Sequence, residues 1–184
     1  MRRGSPKKGQ RLPLPRRAGR PIGSKRGVRG YERKGSDRTV REEQSEDLSY
    51  EIIDHTADIG IRVRGATLEG LFENAGLALF DLLTETRRVR RTTRFGLSLK
   101  AGGTEALFVQ WLRELLYVFY AEKRVFARFE VTEATETSLI AVCFGERFDS
   151  ARHVMRMEIK AVTYHELSVE KTQSGWEAQV IFDV

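Results

Sequence analysis

The chain changes character near residue 47, and this break confines any folded core to the residues that follow it. All four prolines, seven of the sixteen glycines and 15 Lys and Arg residues lie within residues 1–41, which hold two acidic residues and carry a formal charge of +13. Large apolar side chains are scarce there, so the segment buries too little surface to offset its chain entropy. We predict a disordered basic tail and linker over residues 1–47 and one folded domain over residues 48–184.

The residues after the break predict an α+β domain. Alternating apolar residues indicate strands, and apolar residues at helical spacing indicate two amphipathic helices with Thr67 and Thr104 at their N-caps. The predicted strands cover residues 50–54, 59–64, 94–100, 125–132, 138–144, 158–162, 167–169 and 176–184, and the predicted helices cover residues 67–83 and 104–120. This order predicts a two-layer fold, in which a mainly antiparallel sheet carries both helices on one face.

Two basic segments indicate contact with nucleic acid or with an acidic partner. The tail favours nucleic acid, because polycations bind phosphate without sequence preference. Within it, Gly19-Arg20-Pro21 resembles an AT-hook, a short minor-groove binding motif. The segment 87–94, RRVRRTTR, follows the first predicted helix. It is either a solvated loop at a helix C-terminus or a contact with RNA or an acidic surface.

Cysteine content and hydropathy predict a cytoplasmic protein. Cys143 is the single cysteine, which excludes an internal disulfide, and its apolar neighbours predict a buried thiol. No apolar run approaches the length of about 18 residues that a membrane helix needs. The N-terminus lacks the apolar segment of a secretory signal, and its prolines would interrupt the amphipathic helix of a transit peptide.

The apolar strand at residues 176–184 ends the sequence without a polar tail. Alternation places Trp176, Phe182 and Val184 on one face and Asp183 on the other. The terminal carboxylate of Val184 would then be fixed one residue from the Asp183 carboxylate. Two anions held this close repel unless a cation joins them, so we expect a hard metal ion there. The alternative is a strand that merely ends the chain.

Two polar clusters lie between predicted strands. Residues 54–60, DHTADIG, combine two carboxylates, an imidazole and a hydroxyl, with Asp58 beside the following strand. Residues 160–166, KAVTYHE, bring Lys160, Tyr164 and His165 to the junction of two late strands. Composition leaves two readings open, because Asp and Thr commonly stabilise turns through their own side chains. Each cluster is either a turn or part of a site.

Three motifs together resemble the archease family. They are YEIIDHTADIG at residues 50–60, KAVTYH at residues 160–165 and VIFDV at residues 180–184. Each is short, but their order, the two helices between them and the position of the last one are specific. The resemblance covers the chain from about Tyr50 to its last residue and leaves the basic tail outside. It implies a two-layer fold with a segment inserted between related strands, in agreement with the α+β prediction.

The resemblance implies an accessory protein rather than an enzyme. Archeases assist the RtcB-class RNA ligase in tRNA splicing and RNA repair, where they promote ligase guanylylation and multiple turnover. The essential site of the family binds a divalent metal, and the matching ligands here would be Asp58, Asp183 and Val184. His55 would be a neighbour of the metal. Lys160, Tyr164 and His165 would lie close by or contact the partner.

The predicted ligands are oxygen atoms, which suit Ca²⁺, Mg²⁺ or Mn²⁺ better than zinc. A mixed site with imidazole from His55 and His165 stays open, because folding can bring the two together. Two other functions also stay open. One is a metal-dependent hydrolase or nuclease in which His55 or His165 acts as general base. The other is a nucleic-acid-binding module that acts through its basic tail and has no site in its core.

Overall fold

The computed structural model describes residues 50–54 and 58–184, and of Asp54 the backbone alone. The predicted disordered tail lies outside these residues, as does His55. The strands are β1 (Tyr50–Asp54), β2 (Ile59–Gly65), β3 (Thr93–Lys100), β4 (Arg124–Ala134), β5 (Ser138–Arg147), β6 (Ala161–Val162), β7 (Ser168–Thr172) and β8 (Gly175–Asp183). The helices are α1 (Leu68–Leu83) and α2 (Thr104–Glu122), and a 3₁₀ turn covers Thr86–Arg88. Among these described elements, neither helix is long and apolar enough to cross a membrane.

The strands are antiparallel, which confirms the predicted α+β class, but they form two sheets rather than one. The larger sheet has the order β1-β2-β8-β6, and β7 also pairs with β8. The smaller sheet has the order β3-β5-β4. Strand β8, the last in sequence, lies at the centre of the larger sheet and carries neighbours on both edges. The end of the sequence is thereby brought into the middle of the fold.

Helix α1 begins as predicted, and helix α2 does not. The Thr67 hydroxyl accepts a hydrogen bond from the backbone N–H of Gly70 at 3.1 Å, so Thr67 is the N-cap of α1. The N-cap of α2 is Gly103, which has no side chain to accept such a bond. Thr104 is therefore the first helical residue rather than the cap. Its β-branched side chain gave the right signal one residue too late in the chain.

Aromatic side chains from both helices and the smaller sheet form the centre of the core. The ring centroid of Phe80 on α1 lies 5.9 Å from that of Phe119 on α2 and 5.3 Å from that of Phe126 on β4. Trp111 is fully buried, and its indole N–H donates to the main-chain oxygen of Phe72 at 2.9 Å. Such edge-to-face contacts stabilise a core beyond the area that they bury. They tie α2 to α1 and hold both helices against the strands.

The predicted strand at residues 158–162 is shorter in the structure. Residues 148–160 run as an irregular segment, and only Ala161–Val162 pairs with β8. The segment is attached to the end of α1, because the N–H of Arg156 donates to the main-chain oxygen of Leu83 at 2.9 Å. A residue-pair bridge joins Thr84 to Met155. These contacts with α1 replace the strand pairing that the sequence predicts there.

Candidate metal centre

The pairing of β2 with β8 brings the two candidate carboxylates to the same end of the larger sheet. Ile59 pairs with Phe182, and Gly60 pairs with Ile181. Asp58 directly precedes β2 and Asp183 ends β8, so the next pair in this register is Asp58 with Asp183. Directly opposed residues in an antiparallel pair have Cα atoms about 4.5–5.5 Å apart. Two residues separated by 125 positions in sequence therefore become neighbours.

Strand alternation puts both carboxylates on the outer face of this sheet. Ile61 and Val180, which pair with each other, are fully buried on the inner face. Gly60 and Ile181 belong to the other face, and a Cβ atom on Gly60 would lie 2.8 Å from Cδ1 of Ile181. The space that the glycine leaves open is thus filled by the protein's own side chain. Ile181 gives the carboxylate pair an apolar floor on one side.

Lys160 makes two contacts at the end of β8. Its backbone N–H donates to the main-chain oxygen of Asp183 at 2.8 Å, which continues the pairing of β6 with β8. Its ammonium Nζ donates to the main-chain oxygen of Val184, also at 2.8 Å. A positive charge therefore contacts one of the predicted ligand oxygens. The KAVTYH motif lies beside the VIFDV motif, as the prediction of a shared site requires.

The KAVTYH turn is fixed to β8 and to α2. Both the N–H and the hydroxyl of Thr163 donate to the main-chain oxygen of Ile181, at 3.1 and 3.0 Å. From α2, Nε and Nη2 of Arg113 donate to the main-chain oxygen of Val162 at 3.1 and 2.7 Å. The Arg113 guanidinium also lies over the Tyr164 ring, 5.1 Å from its centroid. These bonds position β6 and, with it, Lys160.

Arg113 belongs to this region, although the sequence did not single it out. The signal was available, because Arg113 lies in the middle of the nearly all-apolar helix α2. A charged residue in such a helix usually has a partner, and here the partner is a main-chain oxygen of β6. Sequence alone cannot show which strand end lies under the helix.

The candidate histidines fall outside the carboxylate pair or outside the described residues. His165 lies on the exposed turn after β6, and its Nε2 is 3.7 Å from a carboxylate oxygen of Glu166. His55 lies outside the residues that the structure describes. The predicted mixed site of His55 and His165 therefore stays a prediction.

A shallow groove of about 400 Å³ adjoins the carboxylate pair. It lies between α2 and β6. Tyr117 and Tyr164 are half exposed in this region, at 50% and 56% of their full surface. The residues that line the groove are Arg113, Leu116, Tyr117, Tyr120, Lys160, Ala161 and Val162. Such a combination of aromatic and cationic side chains is typical of surfaces that bind a partner.

The donor atoms at this sheet end fit a hard divalent cation. Asp58 and Asp183 offer carboxylate oxygens, and Val184 offers a main-chain oxygen that already accepts from an ammonium group. Within residues 50–54 and 58–184, no three side chains of His, Cys, Asp or Glu cluster closely enough to bind a metal. Any further ligand would come from the main chain, water or a partner. Such a set leaves coordination positions open.

Comparison with known proteins relates this chain to one family. Residues 50–184 match the model of the Archease protein family (MTH1598/TM1083). The chain is 42% identical to Protein archease of Methanosarcina barkeri over 144 residues, which are 76% of this chain and 99% of the relative. It is 37% identical to Protein archease of Pyrococcus furiosus over 139 residues, which are 73% of this chain and 98% of the relative.

A solved structure shares the fold. The solution structure of Methanobacterium thermoautotrophicum protein 1598 superposes with a TM-score of 0.60 at 30% identity. The match covers 74% of this chain and 99% of that one. The basic residues 1–49 lie outside the family match.

Proposed function

Since this chain belongs to the archease family, we propose that it is a metal-binding accessory protein of an RtcB-class RNA ligase. In this proposal it promotes guanylylation and multiple turnover of the ligase during tRNA splicing or RNA repair, in the cytoplasm. It performs no ligation itself. One observation carries the proposal: the β2–β8 register aligns Asp58 with Asp183, beside the Lys160 contact with Val184.

Asp58, Asp183 and the main-chain oxygen of Val184 would hold the ion, which we propose to be Ca²⁺, Mg²⁺ or Mn²⁺. A bound ion would supply positive charge and open coordination positions for oxygen ligands of the ligase or of its nucleotide. The protein's own residues fix the position of these ligands. Lys160 keeps one positive charge against the Val184 oxygen. Ile181 covers one side of the pair with apolar surface.

We propose that the groove beside this site receives part of the ligase. Tyr117 and Tyr164 offer exposed ring surface, and Arg113 holds the Tyr164 ring through a guanidinium contact at 5.1 Å. Fixed aromatic side chains with little freedom to lose are effective anchors in protein interfaces. A partner docked here would lie against Lys160, which lines both the groove and the carboxylate site. The open coordination positions would then face the partner.

A guanylylation assay tests this function. The full chain is mixed with its cognate ligase, GTP and Mn²⁺, and the rate of ligase guanylylation is measured. We expect acceleration by the wild type and its loss in Asp58→Asn and in Asp183→Asn, because each amide removes a ligand charge while keeping the size of the side chain. Glu133→Gln is the matched control, since Glu133 is an exposed carboxylate on β4 of the other sheet.

Three outcomes would contradict the proposal. Equal acceleration by the wild type and both aspartate variants would remove the carboxylate site from the function. Cleavage of RNA by the protein alone, lost in the same variants, would indicate the metal-dependent nuclease instead. Full activity in both variants with loss only on deletion of residues 1–46 would indicate a module that acts through its basic tail.

A further inference from the structure

The arginine-rich segment 87–94 has a fixed backbone. Val89 is buried with 7% of its surface exposed, which anchors the segment in the core. The N–H of Arg90 donates to a carboxylate oxygen of Glu146 at 2.8 Å, and the Thr93 hydroxyl donates to the main-chain oxygen of Gly145 at 2.8 Å. The segment therefore runs along the end of β5. Its arginine side chains project from a backbone that is held in place rather than from a loose loop.

Most of these arginines lack a carboxylate partner. Arg87, Arg90, Arg91 and Arg94 are exposed. Among the described residues, Arg88 is the one member of the segment within 4.0 Å of a carboxylate, at 2.8 Å from Glu85. No acidic residue occurs between Glu85 and Glu105. The segment therefore presents uncompensated positive charge.

The larger sheet treats its exposed arginines differently. Arg62 and Arg64 lie between Glu51 on β1 and Glu177 on β8, and Arg64 contacts both carboxylates at 2.7 Å. Their charges are balanced within the protein. This pair on β2 shows what a purely structural arginine cluster looks like in the same molecule, and segment 87–94 does not have that arrangement.

A row across the smaller sheet adds a stacking surface to the segment. Arg94 on β3 pairs with Phe144 on β5, and Phe144 pairs with Arg128 on β4. The guanidinium groups of Arg94 and Arg128 lie over the Phe144 ring, 5.5 and 5.3 Å from its centroid. Each contact orients a guanidinium plane against the ring. Arg128 is also paired with Glu130, so it offers mainly its plane, whereas Arg94 also offers charge.

We propose that Arg87, Arg90, Arg91, Arg94 and Arg128, together called the arginine face, bind single-stranded RNA. Guanidinium groups bind phosphate oxygens in a bidentate manner, and their planes stack on unpaired bases. The combination of unpaired guanidiniums with ring-supported ones fits both parts of a nucleotide. An acidic protein surface would use the charge but not the stacking planes. The arginine face belongs to the smaller sheet, and its proposed role does not depend on the metal centre.

Salt-dependent binding of a fluorescein-labelled 12-nucleotide oligouridine tests this role. Fluorescence anisotropy is measured with the full chain from 50 to 300 mM KCl. Each lost phosphate contact on a single strand lowers the slope of log affinity against log salt by about 0.7. We therefore expect Arg90→Gln/Arg94→Gln to reduce the slope by about 1.4 and the affinity at 0.1 M salt by roughly 10- to 30-fold. The matched control is Arg62→Gln/Arg64→Gln, which removes the same charge from a balanced surface.

Photo-crosslinking with 4-thiouridine RNA locates the contact independently of the basic tail. We expect crosslinked peptides to include residues 87–94 or Phe144. Crosslinks confined to residues 1–47, or equal salt slopes for the wild type and both double variants, would overturn the proposal. So would a result in which Arg90→Gln/Arg94→Gln binds RNA normally but loses binding to polyglutamate, because the face would then recognise an acidic protein.

Discussion

Replacing Glu146 by glutamine is expected to lower the free energy of unfolding at neutral pH by about 2–3 kcal/mol. The carboxylate is buried, with 8% of the residue exposed, and it accepts hydrogen bonds from three groups. One oxygen accepts from the N–H of Arg90 at 2.8 Å and from Nε2 of His153 at 3.2 Å. The other accepts from Nη2 of Arg152 at 2.7 Å.

The geometry explains why glutamine cannot replace this carboxylate. The N–H of Asp149 donates to Nδ1 of His153, so the neutral ring carries its proton on Nε2 and points a donor at Glu146. All three partners of Glu146 are therefore donors. A glutamine has one acceptor oxygen, and its amide nitrogen would face either Arg152 or the pair of Arg90 and His153. At least one buried donor would lose its partner, which costs about 1–3 kcal/mol.

The dependence on pH gives the argument its sign. The hydrogen bond from Arg152, helped by the Arg90 N–H and the His153 ring, holds the pKa of Glu146 at about 2, against an ordinary value of 4.5. Such a difference corresponds to about 3 kcal/mol at most. Because the folded pKa is the lower one, this stabilisation is complete above pH 4.5 and is lost as the pH falls from 4.5 towards 2.

Urea unfolding of the wild type and Glu146→Gln at pH 7, 5.5, 4 and 3 tests this reasoning. At pH 7 the variant's midpoint should be lower by about 1 M urea. Most of the difference should be gone at pH 3, since only the wild type titrates at this position. Equal midpoints at pH 7, or a difference that stays constant between pH 7 and pH 3, would refute it.

Two further predictions concern the core, and one concerns the end of β8. Gly145→Ala should destabilise the fold by about 1–3 kcal/mol in thermal unfolding, because the new Cβ would lie 1.8 Å from the main-chain oxygen of Val125, while Gly102→Ala, with no atom within 4 Å, should be near neutral. The thiol of Cys143 is fully buried and burial raises its pKa, so a thiol reagent should react with it only in denaturant. A Gly-Ser extension after Val184 should weaken Mn²⁺ binding and leave the melting temperature unchanged.

Local chemistry made the elements of this fold predictable. The Thr67 cap, the alternation in β8 and the apolar stripes of the two helices depend on residues close together in sequence. The division of strands into two sheets depends on long-range pairing instead. Strand β8 pairs with β2, which lies more than a hundred residues earlier, and no local pattern records that choice. The strand predicted at residues 158–162 failed for the same reason, because its contacts with the end of α1 are not local.

The candidate site was predictable in its residues but not in its geometry. Asp58, Asp183 and Lys160 were identified from motifs, and the structure brings their three segments to one end of the larger sheet. The contact between the Lys160 ammonium and Val184 requires the β6–β8 pairing, and the sequence does not contain it. Arg113 was missed because its partner is a main-chain oxygen, which carries no sequence signal.

A titration of the full chain with Mn²⁺, followed by electron paramagnetic resonance of the free ion, tests the central claim most directly. We predict one site per chain, with at least tenfold weaker binding in both Asp58→Asn and Asp183→Asn and with unchanged binding in Glu133→Gln. Equal affinity in the wild type and both aspartate variants would contradict the account. The carboxylates that the β2–β8 register aligns would then not form a metal site.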